Sequence, residues 1–135
     1  MSTRITGKFD VKMTPQAPDD GDASGVPGRM RLDKRYHGDL DASSRGQMLA
    51  AQSSVKGSAG YVAIEQVTGA LQGRTGTFML QHTGVMNRGT GSLTITVIPD
   101  SGTGELSELA GTMSIEVGGG VHTYIFDFTL PAASA

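Results

Sequence analysis

The chain holds three histidines, three tyrosines and no cysteine, so few imidazoles and phenols, and no thiols, are available for proton transfer. In "GRTGTFMLQHTGVM" (73–86) the imidazole of His82 follows Phe78 and Leu80 at alternate positions, and alternate residues of an extended strand share a face. "VHTYIFDFTL" (121–130) repeats the arrangement, with His122 and Tyr124 on the face of Phe126 and Phe128. Tyr36 shares its face with Met30 and Leu32. Glu65 is the candidate acidic partner, although the sequence leaves open whether Val62 and Ile64 or Tyr61, Ala63, Glu65 and Val67 turn inward. A His/Glu/Tyr group around a pocket is equipped for proton transfer or for orienting one ligand. Such groups need partners when buried, because an unpaired buried polar atom costs roughly 1–3 kcal/mol. The competing reading puts His82, just before Gly84, and His122, at its strand's start, at a half-solvated rim, bonded to backbone. It makes Tyr36 and Tyr124 core rings with wet hydroxyls. Tyr36, Glu65, His82, His122 and Tyr124 are therefore the candidate ligand-binding residues, and no catalytic role is assigned.

Other motifs carry less. "SGTGEL" (101–106) lacks the lysine of a phosphate loop, and Glu105 would repel an anion. It reads as a structural turn at a barrel end, with Ser101 and Thr103 bonding their own backbone. "DDGD" (19–22) does not have EF-hand spacing. His37, Asp39 and Asp41 alternate on one strand face, which supplies too few converging ligands for a metal. Neither a metal nor a cofactor is expected, and no nucleophile, HExxH or dinucleotide fingerprint is present.

The elements that must position these side chains are strands. Arg4–Met13 alternates cleanly, with Ile5, Phe9, Val11 and Met13 on one face. Residues 14–28, holding three of the five prolines, predict a long flexible loop. Further alternation over 29–37 is interrupted by Lys34 on the apolar face. Segment 41–52 reads as a strand of small residues. Strands follow over 61–72, 74–86, 91–99, 111–117 and 121–130, with one helical turn over Glu105–Leu109, capped by Thr103. Eight short strands without helical crossovers point to an all-β, antiparallel fold. Twenty glycines in 135 residues, several in mid-strand, suit the bends of a closed barrel.

Length predicts one domain over residues 1–135, with short disordered ends. A net charge of −2 gives no electrostatic reason to expect nucleic acid or an anionic membrane surface. No apolar run approaches the ~20 residues of a membrane span. The start "MSTRITGKFDV" has no signal-peptide core, so a cytoplasmic location is the expectation.

"YVAIEQVTGALQGRTGTFMLQHTGVM", "PDSGTGELSELAGTMSI" and "HTYIFDFTL" together resemble the bacterial family called domain of unknown function 3224 (DUF3224), over about Gly38–Leu130. The resemblance implies a compact eight-stranded β-barrel, similar to that of allene oxide cyclase and more distantly to the calycins. No activity comes with it. The expected function is a small-molecule-binding barrel for an apolar or mildly polar metabolite. The alternatives are an isomerase- or cyclase-type enzyme using Glu65 or His82 for proton transfer, and an oligomeric structural protein associating through its outer face, where Met79, Ile98 and Ile125 lie.

Overall fold

The computed structural model describes residues 2–17 and 27–132. Eight strands follow one another: β1 (Thr3–Gln16), β2 (Gly28–Tyr36), β3 (Leu40–Gln52), β4 (Ala59–Leu71), β5 (Arg74–Asn87), β6 (Thr90–Val97), β7 (Ala110–Gly118) and β8 (Val121–Thr129). Each pairs antiparallel with its neighbour, and β8 returns to β1, with Thr3 opposite Phe128 and Phe9 opposite His122. The result is a closed eight-stranded antiparallel barrel, as the alternation required. Gln72-Gly73 and Arg88-Gly89 make the tight turns after β4 and β5, all four residues at positive φ. Two-residue hairpins favour that geometry because it matches strand twist. No helix among the described residues is long and apolar enough to cross a membrane.

Alternation decides which side chains meet inside. Ile5, Phe9, Leu80, Ile95, Val97, Met113, Phe126 and Phe128 are all buried. Phe78 stacks on Phe126 with ring centroids 6.0 Å apart, and Phe126 packs on Phe128 at 5.1 Å. On β4 the face that turns inward carries Ala63, Glu65 and Val67, while Val62 and Ile64 stand half exposed outside beside Leu49. Met79, Ile98 and Ile125, expected on the outer face, are only partly exposed.

Two local expectations need correction. β1 continues through Pro15 to Gln16 instead of giving way to a loop at Thr14. Its register with β8 ends at Phe9, so Pro15 sits where β1 is an edge strand paired to β2 alone, and an edge tolerates a residue without an N–H. The remainder of the expected loop, residues 18–26 with the "DDGD" motif, and the chain ends at 1 and 133–135 lie outside the described residues.

The second correction concerns the connection from β6 to β7. Its helical turn is a short 3-10 turn, Gly104–Leu106, and Thr103 does not cap it. Thr103 Oγ1 instead accepts the Thr77 N–H at 3.0 Å, and Ser101 Oγ accepts the Met79 N–H at 3.1 Å. Backbone bonds Ile98 N–H to Met79 O (2.9 Å) and Thr103 N–H to Thr77 O (2.8 Å) complete the contact. These side chains serve the backbone of β5, not their own. The segment takes the edge of β5 that β6 leaves free and buries Leu106 and Leu109 in that end of the barrel. A Cβ at Gly76 would collide with the Thr103 carbonyl, which is why this strand position is glycine.

Among the described residues the other end of the barrel stays open. β2 to β5 extend well past the β7–β8 hairpin, and β6 meets β7 at only two register pairs, Ile95–Met113 and Thr96–Thr112. Residues beyond those pairs, including Leu93, lie at the mouth.

Candidate functional site: a saturated carboxylate beneath an apolar mouth

Inward parity on β2, β3, β4 and β5 brings Lys34, Ser44, Glu65 and His82 together in the barrel interior, each less than a tenth exposed. Tyr36 joins them, fully buried one inward step beyond Lys34. Glu65 is the hub. Its Oε2 accepts from Lys34 Nζ at 2.8 Å and contacts His82 Nε2 at 2.6 Å. Its Oε1 accepts from Ser44 Oγ at 2.9 Å and from the Tyr36 hydroxyl. A carboxylate has about four acceptor positions, and all are taken.

Space for this hub is made by Gly46, opposite Glu65 on β3. A Cβ there would stand 2.8 Å from Glu65 Cβ and 2.5 Å from the Ile64 carbonyl. Lys34 Nζ also lies 5.2 Å from the Phe9 ring centroid and 5.8 Å from that of Tyr36. The aromatic faces therefore help to hold the buried ammonium.

Burial alone would raise the Glu65 pKa, but the His82 hydrogen bond and the Lys34 charge outweigh it and lower the value to about 2. Glu65 is thus ionised in the interior, and a neighbouring cation plus donors explain why. Tyr36 moves the opposite way. Its phenol is held well above the ordinary value by burial first and then by the negative charge of Glu65. It remains a neutral donor.

Above this centre, toward the open end, lies a cavity of about 840 Å³. Met30, Met48, Ala50, Tyr61, Met86 and Leu93 are among its walls. Tyr61 forms the partition. Its ring centroid is 6.3 Å from that of His82, and the ring lies over Gly84, where any Cβ would collide with it. Burial and the Glu65 charge raise the Tyr61 pKa, so it too presents a neutral hydroxyl.

The five residues singled out from sequence divide. Tyr36, Glu65 and His82 come together, whereas His122 and Tyr124 do not join them. His122 is partly buried at the start of β8, its ring 5.2 Å from Phe9. The Tyr124 hydroxyl donates to the His37 carbonyl at 2.7 Å and accepts the Leu40 N–H at 3.2 Å, which ties down the β2–β3 turn. His82 is not a half-solvated rim residue bonded to backbone; it is 3% exposed and bonded to a carboxylate. None of the five lines the mouth cavity. His37 and Asp41 find separate partners in Asp10 and Arg35.

The family model for "Protein of unknown function (DUF3224)" matches residues 5–128. The chain belongs to the DUF3224 family. A crystal structure of a DUF3224 protein of unknown function from Shewanella oneidensis MR-1 is 51% identical, with a TM-score of 0.90 over 98% of this chain and 100% of that one. No curated protein matches the chain significantly. In this DUF3224 barrel the site residues missed from sequence are Lys34, Ser44 and Tyr61. Lys34 carried a signal, a cation at an apolar position of an alternating strand, and nothing else in the sequence explains it.

Proposed function

We propose that the chain is a small-molecule-binding β-barrel whose guest, a small and largely apolar metabolite, occupies the mouth cavity. The observation that supports this is the cavity itself: about 840 Å³, walled largely by apolar side chains, in a barrel whose other half is solidly packed. Ligand sites commonly have that volume and an apolar lining with few polar groups. The test is titration with a neutral apolar fluorophore, N-phenyl-1-naphthylamine. Saturable one-to-one binding is expected, weakened about tenfold or more, or ~1.4 kcal/mol, when Ala50→Trp fills the cavity. A wild-type protein that leaves the probe's emission unchanged to its solubility limit refutes the reading.

A second reading, a proton-transfer enzyme of the isomerase or cyclase kind, is favoured by the contact between Glu65 and His82. Glu65 has no acceptor position left, so His82 is the group of that pair with capacity for a substrate. The similarity to the allene oxide cyclase barrel that the family resemblance implies would concern shape alone and transfer no chemistry by itself.

A further inference from the structure

His82 has two ring nitrogens, and the carboxylate engages one of them. Because Glu65 is ionised and can only accept, Nε2 carries the proton in the contact at 2.6 Å. In the uncharged ring Nδ1 is then a bare acceptor. Among the described residues Nδ1 has no hydrogen-bond partner. Yet the only sealed side-chain nitrogen or oxygen without a partner there is Arg74 Nε. The 3% of His82 that solvent reaches therefore includes Nδ1. Its side chain points into the barrel, where Tyr61, a wall residue of the mouth cavity, is the neighbouring ring on that side.

The surrounding charges sharpen what Nδ1 can receive. Lys34 and Glu65 pair at 2.8 Å, so with the His82 ring uncharged the centre carries neither a net cation nor a net anion. Tyr36 and Ser44 donate to Glu65. What the uncharged ring leaves free at Nδ1 is a lone pair, held in one tautomer by the carboxylate at Nε2.

We propose that the mouth cavity and His82 form one binding site for an apolar molecule bearing a single acidic O–H, such as a phenol, an enol or a carboxylic acid, which donates to Nδ1. This rests on the cavity being the ligand site. It adds that the site distinguishes a hydroxyl donor from its ether. A site that hydrogen-bonds a substrate hydroxyl rejects the analogue lacking it, because its own polar group is then left unpaired.

The experiment compares 2-naphthol with 2-methoxynaphthalene, which have the same fused rings and differ in the donor. Binding of each is measured by fluorescence titration, and the His82 nitrogens are followed in long-range 1H–15N spectra. In the free protein the spectra should show the proton on Nε2. Naphthol should bind about tenfold tighter than the ether, the equivalent of one net hydrogen bond, and should shift the Nδ1 resonance, whereas the ether leaves it in place. His82→Phe should retain ether binding and lose the preference.

Ether binding with no preference for naphthol overturns the assignment of Nδ1 and leaves the cavity reading standing. A free protein with the proton on Nδ1 does the same. Failure of both probes to bind removes the cavity reading and this one with it. Should His82→Phe not fold, the wild-type comparison and its spectra decide alone.

Discussion

Replacing Glu65 by glutamine is the sharpest perturbation the barrel offers. The amide retains the size of the carboxylate but loses its charge and half its acceptor capacity. Four donors converge on Glu65, so the new NH2 group must face two of them. Lys34, 8% exposed, becomes a buried cation without a counter-charge. Two routes give the size of the loss. Removing one member of a buried ion pair costs about 3–5 kcal/mol. The fall of the Glu65 pKa from 4.5 to about 2 corresponds to about 3 kcal/mol at ~1.4 kcal/mol per pH unit.

The sign follows from linkage. A carboxyl whose pKa is depressed on folding stabilises the protein above its unfolded pKa, and that contribution is lost as pH falls through the folded value. The stability gap between wild type and Glu65→Gln should thus be full at pH 6 and shrink between about pH 4.5 and pH 2. Urea unfolding followed by far-ultraviolet circular dichroism measures it. With a slope of about 2 kcal/mol per molar, the midpoint should drop by roughly 2 M at pH 6. The double variant Lys34→Met/Glu65→Gln should recover part of the loss by removing the stranded cation. A gap below about 1 kcal/mol at pH 6, or one that does not change with pH, would refute the picture of an ionised hub.

Gly46→Ala should cost about 1–3 kcal/mol by overpacking, because its methyl group meets Glu65 Cβ and the Ile64 carbonyl; urea midpoints measure this. Tyr124→Phe removes a donor to His37 O and an acceptor from Leu40 N. It should lower stability by about 1–2 kcal/mol and speed exchange of the Leu40 amide, with probe binding at the mouth unchanged. Thr103→Val breaks the bond to the Thr77 N–H and should cost about 1 kcal/mol, with faster exchange confined to Thr77 and its neighbours.

Parity made the barrel legible. Phe78, Leu80, Ile95, Val97, Phe126 and Phe128 alternate without interruption and are all buried, so the interior face of three strands could be read directly. β4 was harder because both faces are apolar. Val62 and Ile64 are a pair of large aliphatic side chains on one face, yet they stand outside. Pairing explains the outcome: Glu65 can be buried only where Lys34, Ser44, Tyr36 and His82 reach it, and none of those contacts is local in sequence. Lys34 and Glu65 each looked like a flaw in its own strand. Thirty-one residues apart, they are each other's reason for being inside.

Thr103 and Ser101 were misread for a similar reason. Sequence shows local backbone as the nearest partner for a hydroxyl, whereas here β6 ends early and leaves β5 unpaired amides nearby. Tyr61 could not be ranked at all. Its importance comes from standing on the boundary between filled and empty halves, which depends on unequal strand lengths.

Those unequal lengths give the mouth a side slot. Because β1 leaves β8 after Phe9 and β6 leaves β7 after two register pairs, the wall formed by the described residues is notched above the β7–β8 hairpin. Val11, Met13, Leu93 and Val117 have inward parity around the notch and remain wholly or partly exposed. On the proposed function, a guest with a chain attached need not fit wholly within the vessel: its rigid part would sit by Tyr61 while its tail trails out through the flank.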